Sequence, residues 1–205
     1  MFLSLYYLVA LILILTVHEF SHAWMANRLG DPTAHREGRL TLNPLAHLDL
    51  LGTLMLFLVG IGWGKPVPVN PRNFEHPHRD EALTALAGPL ANLILAILAA
   101  IPFSYLPEGN SIRIFGGAVL DLSLLLFIFN MLPFPPLDGS KFFRIFVPRR
   151  HQEKYETFLR KGMPYFIVLL VLDLYLFDKL FGQSFVWTAV STITFWLKAA
   201  ILLIV

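Results

Sequence analysis

The chain has 205 residues, 56% hydrophobic and 15% charged, with a formal net charge of +2 and a mean hydropathy of +0.64. Soluble domains are about half apolar and about a quarter charged, so this balance excludes an ordinary soluble domain, and no basic-aromatic array points to nucleic acid. There is no cysteine; disulfides and thiolate metal sites are excluded, and any metal must be held by His, Asp or Glu.

The composition predicts an all-α polytopic membrane protein, a single domain over residues 1–205, with about five transmembrane helices, a re-entrant segment and a short β-like loop region. The first apolar segment, about residues 3–26, lacks the basic n-region and cleavage site of a signal peptide and is expected as a retained span. Within it stands His18-Glu19-Phe20-Ser21-His22. Two histidines four residues apart on a helix lie nearly above one another, so both rings can reach one metal ion. Glu19 stands beside the first ligand, where a carboxylate can take a proton from water activated by the metal. Charged groups are costly in so apolar a segment, which makes the cluster a functional candidate. The pattern points to a zinc hydrolase acting within a membrane.

A polar stretch fills 27–49. Residues 50–63, LLGTLMLFLVGIGW, are short for a crossing and are expected to be re-entrant or interfacial. The Pro- and charge-rich 64–81 predicts a loop or short β-structure, able to hold an extended substrate by edge pairing. Spans are expected at 82–104 and 112–132. The latter runs into NMLPFPPLDGS, 130–140, where prolines break the helix and Gly139 frees the backbone. A catalytic zinc normally has three protein ligands, and Asp138 is the expected third; the bland alternative is a turn residue before glycine. Segment 141–161 holds seven Lys/Arg, and two further spans are expected at 163–181 and 185–205.

The positive-inside bias places 27–81 and 141–161 in the cytoplasm and the N-terminus outside. His18 then lies about 15 Å along the helix from Arg28, submerged but nearer the cytoplasmic face. Asn92 is either an interhelical hydrogen-bonding residue or a polar group holding the substrate backbone or an oxyanion. Asn130 either orients the site or caps a helix. Gly88-Pro89 suggests a kink or close packing. His47 and Asp49 stay outside the ligand set, and Asp121 and Asp173 have no assigned role.

HEFSH together with NMLPFPPLDG, supported by GRLTLNPLAHLD (38–49) and AGPLAN (87–92), resembles the site-2 protease family of intramembrane zinc metalloproteases, specifically its compact members without a PDZ domain. The resemblance covers about residues 16–141; residues 163–205 carry no matching motif. It implies one zinc ion at His18, His22 and Asp138, with Glu19 as catalytic acid/base. It also implies cleavage in or near the transmembrane segment of a membrane-protein substrate, and it favours a substrate or oxyanion role for Asn92; Asn130 is a second candidate for that role, with the helix-cap alternative left open. The location implied is the plasma membrane of a prokaryote. Two other classes remain open, a metal-ion transporter and a non-catalytic membrane scaffold; Glu19 beside a ligand favours hydrolysis over transport, and the intact set His18, Glu19, His22 and Asp138 argues against a scaffold.

Overall fold

The computed structural model describes residues 5–59 and 62–205. Its helices are α1 (Leu5–Arg28), α2 (Leu50–Val59), α3 (Pro77–Tyr105), α4 (Ser111–Asn130), α5 (Asp138–Phe142), α6 (Gln152–Val171) and α7 (Phe185–Ile204), joined by shorter helical turns. The stops and starts follow from local chemistry. Gly30, at φ 103°, takes the left-handed conformation that ends α1. Pro77 sits in the first turn of α3, where its missing N–H costs nothing. The Asn110 side chain accepts from Ile112 N at 2.8 Å and caps α4.

Helices α1, α3, α4 and α7 are each long and apolar enough to cross a membrane. Their shared core is built largely from small residues: Ala10, Ala96, Ala99, Ala100 and Ala118 pack with Ile14, Val119, Leu120, Leu124 and Ile201. Small side chains let helix backbones approach closely, the main source of association where lipid and side chain are equally apolar. At Gly116 the approach is tight, since a Cβ there would meet Ala99 O at 3.1 Å.

The segment expected as a span at 163–181 is not among the four. It is the apolar end of α6, whose first half carries Glu153, Lys154, Glu156, Arg160 and Lys161, followed by a π-helical stretch over Leu172–Phe177. Buried Asp173 holds the turn after it, accepting from Ser184 Oγ, Phe185 N (2.8 Å) and Val186 N (3.0 Å). Helix α7 then runs parallel to α3: Lys198 lies over the Phe103 ring, and Tyr105 Oη donates to Val205 O. Lys198 also pairs with Asp121 of α4 at 2.6 Å.

Helix α2 has ten residues, about 15 Å of rise, half of a hydrocarbon core of about 30 Å. The chain doubles back over it: Gly62 packs on Gly52 and Leu56, Gly52 faces Trp63, and Leu48 bridges Gly64. That bridge is the sole β-pairing among the described residues; the expected β-like region is extended backbone, 65–70, with no paired strand.

Candidate active site

On α1, His18 and His22 are one helical turn apart and both buried. Their Nε2 atoms lie 3.0 Å from each other. Asp138, at the first position of α5, brings Oδ2 to 3.1 Å from His18 Nε2 and 3.2 Å from His22 Nε2. Ligand bonds of about 2.0–2.1 Å set at tetrahedral angles give donor separations of about 3.3–3.4 Å, so the three atoms already stand close to the spacing a zinc ion imposes. Two nitrogens and one oxygen also suit zinc chemically. Thus these residues fit the metal that the sequence pattern implies.

Helix α3 runs antiparallel to α1 and presents three residues one turn apart to this cluster. The Thr84 carbonyl accepts from His22 Nδ1 at 2.7 Å. Gly88 leaves open the space in front of both rings: a Cβ would come within 2.3 Å of His22 Nε2 and 2.7 Å of His18 Nε2. Asn92, fully buried, donates from Nδ2 to His18 Nδ1 at 3.1 Å.

Asp138 is fixed from below. Gly139 is required for space, since a Cβ would lie 2.4 Å from Met131 O; its φ is not left-handed, so close approach replaces the conformational freedom expected for it. Ser140 Oγ donates to Leu137 O at 2.7 Å, and Tyr155 Oη donates to Ser140 O at 2.6 Å. Buried Arg144 ties the segment to Glu81 at the start of α3 (2.8 Å) and to Glu156 of α6. A buried charge is tolerable only when paired in this way.

Glu19 faces a cavity of about 310 Å³ whose lining also includes His18, His22, Asn92, Asn130 and Asp138, so all six residues singled out by sequence meet there. Asn130 donates back to Leu126 O at 3.1 Å within its own helix. One wall is the extended run containing Trp63, Gly64, Pro66, Val67 and Val69; a Cβ at Gly64 would lie 3.7 Å from Glu19 Oε1. Polar residues of the 27–49 loop pin this wall. Buried Arg39 donates to the carbonyls of Lys65 and Pro66, and Lys65 N donates to His47 O at 2.8 Å. His47 itself donates to Thr41 O at 2.7 Å. Asp31 accepts from Asn70 N and Asn73 Nδ2, each at 2.7 Å, and from Thr33. These hydrogen bonds outweigh burial and hold the Asp31 carboxyl below the usual carboxylate range.

Sequence reasoning missed Thr84, Arg39, Asp31 and the Arg144 network; at Gly88 it expected a kink or close packing, and the close approach is to the two histidine rings. The spacing of Thr84, Gly88 and Asn92, each four residues apart in antiparallel register with His22 and His18, is the one signal that could have found Thr84.

No protein-family model matches the chain, and no solved structure matches it significantly. Among curated proteins it is 39% identical over 178 residues to "Putative zinc metalloprotease YwhC" of Bacillus subtilis, covering 82% of this chain and 81% of that protein. It is 36% identical over 132 residues to "Putative zinc metalloprotease Rip2" of Mycolicibacterium smegmatis, covering 61% of this chain and 51% of the relative. It is 31% identical over 124 residues to "Putative zinc metalloprotease MJ0611" of Methanocaldococcus jannaschii, covering 60% of this chain and 61% of that protein.

Proposed function

The chain belongs to the compact site-2 protease family of zinc metalloproteases, and we propose on that premise that it hydrolyses a peptide bond in or near the transmembrane segment of a membrane-protein substrate. The observation that carries this reading is Glu19, adjacent in sequence to His18, facing the same cavity as three converging metal-ligand atoms. One zinc ion held by His18, His22 and Asp138 would supply the Lewis acid that activates water and polarises the scissile carbonyl. Glu19 takes the proton from the attacking water and delivers it to the leaving amine nitrogen. The extended wall at 63–69, held by Arg39 and His47, offers backbone groups to a locally unwound substrate. Unwinding is necessary because a helical peptide carbonyl is already hydrogen-bonded and shielded.

In the bilayer, α1, α3, α4 and α7 are the crossing helices, and the α2 hairpin dips in and returns. The Lys/Arg-bearing loops 27–81 and 141–161 lie in the cytoplasm of a prokaryotic cell, with the site in the cytoplasmic half of the plasma membrane. The parallel course of α3 and α7 supports four crossings, because α7 then starts at the end of the bundle where α3 starts. On this topology 163–181 stays on the cytoplasmic side.

The test is a tagged membrane substrate co-expressed with wild type or Glu19→Gln and scored for the shorter fragment. Glu19→Gln keeps its size and should still bind zinc, while cleavage falls by about 10²–10⁴-fold, the usual worth of general acid-base catalysis. Equal fragment yield from both would remove Glu19 from the mechanism. A transporter would instead show changed metal uptake, and a scaffold no change.

A further inference from the structure

We infer that Asn92 is a positioning residue for the metal centre: its side-chain amide fixes the tautomer and ring orientation of ligand His18, rather than holding the substrate's oxyanion. The inference rests on the zinc reading of the site and goes beyond it.

The argument begins from what a histidine needs in order to ligate through Nε2. That nitrogen must give its lone pair to the metal, so the proton sits on Nδ1 and requires an acceptor; such outer partners set ring orientation and ligand basicity. His22 has its acceptor in the Thr84 main-chain carbonyl, 2.7 Å from Nδ1. His18 faces Asn92 at the equivalent place, with the amide nitrogen 3.1 Å from Nδ1. The other amide atom, Oδ1, is buried and meets no donor among the described residues. An amide presents oxygen or nitrogen by a half-turn about its terminal bond. After that turn the orphaned oxygen accepts from His18 Nδ1–H, and His18 matches His22.

Register explains why the two partners differ in kind. Thr84 and Asn92 are eight residues apart on α3, His22 and His18 four apart on the antiparallel α1, with Gly88 between and opposite both Nε2 atoms. At Thr84 the α3 backbone itself reaches the ring. At Asn92 a side chain spans the gap, and a short amide is a neutral group able to do so without bringing a second charge into the apolar bundle. Burial argues in the same direction: Asn92 has no exposed surface, so its amide is committed to the imidazole.

The test is zinc affinity of the purified full chain, measured by competition with a chromogenic chelator, for wild type, Asn92→Leu and Asn92→Asp, with His22→Ala as the ligand-loss control. Asn92→Leu fills nearly the same volume but offers no acceptor; its zinc affinity should fall about 10–100-fold, the usual effect of losing such a partner. Asn92→Asp keeps an acceptor at the same place and should hold zinc at least as tightly as wild type. Thermal unfolding of the zinc-free proteins checks that the bundle survives each change. Wild-type affinity in Asn92→Leu would overturn the inference and return Asn92 to the oxyanion role. Weakened binding in both variants equally would also overturn it, by making the residue a packing element. Failure of the wild type to bind zinc more tightly than His22→Ala would sink the metal reading itself, a separate outcome from either.

Discussion

A Cβ added to Gly88 would lie 2.3 Å from His22 Nε2, well inside van der Waals contact and on the side of the ring from which a metal would bind. The helix that packs against the two histidines therefore contributes an absence of atoms to the site. Gly88→Ala should push both rings aside while leaving the remaining α1–α3 packing intact. The expected outcome is folded protein with little bound zinc, read by metal analysis beside a thermal melt. Full zinc content in this variant would show that the ligand atoms point elsewhere.

Zinc stoichiometry is the direct check on the ligand set. Wild type should carry close to one zinc per chain, and His22→Ala and Asp138→Ala should each lose most of it, because a catalytic zinc normally needs three protein ligands and each variant leaves two. Unchanged zinc in Asp138→Ala would remove the Leu-Asp-Gly segment from the site, despite the 3.1 and 3.2 Å separations that now place it there.

Chemistry carried by side-chain identity could be read from the sequence; chemistry carried by backbone could not. HEFSH and the Leu-Asp-Gly break name their own functional groups, and the structure places all three donor atoms within 4.8 Å of one another. Thr84 acts through a carbonyl that every residue possesses and leaves no compositional mark, while Gly88 reads as a close-packing glycine without showing that its neighbours are the two histidine rings. Arg39 and Asp31 stand in a polar stretch to which the sequence assigns no structural role, yet both are buried and hold the loops together through hydrogen bonds to backbone. The span expected at 163–181 rests on hydropathy alone, which registers that a segment is apolar and not which way the next helix runs; it is not among the four helices long and apolar enough to cross a membrane.

Asp31 gives the loop assembly a pH dependence of known sign. Its carboxyl is held below the ordinary value of about 3.9 by hydrogen bonds from Thr33, Asn73 and Asn70. The ionised form is thus favoured by folding, and the stability it contributes is present above about pH 4 and lost as pH falls through the lower folded value. Proteolytic resistance of segment 65–76 should be higher in wild type than in Asp31→Asn at neutral pH, and the difference should shrink below about pH 4. A difference that grew in acid would contradict the assigned sign.

The course of α7 decides between two topologies that hydropathy cannot separate. Five crossings in series would return the chain to the cytoplasm, so Ile204 and Arg72 would lie on the same side. Four crossings put Ile204 opposite Arg72 and beside Gly109, in keeping with the Tyr105–Val205 hydrogen bond and the stacking of Lys198 on Phe103. The native chain has no cysteine, so single substitutions report without background. Arg72→Cys, Gly109→Cys and Ile204→Cys are each treated in intact cells with a membrane-impermeant maleimide, then again after permeabilisation. Gly109→Cys and Ile204→Cys should react in intact cells, whereas Arg72→Cys should react only once the membrane is opened. If Ile204→Cys behaved like Arg72→Cys, α7 would run the other way. If Arg72→Cys reacted in intact cells, the cytoplasmic placement of the active-site loops would fall, and with it the placement of the site in the cytoplasmic half of the membrane.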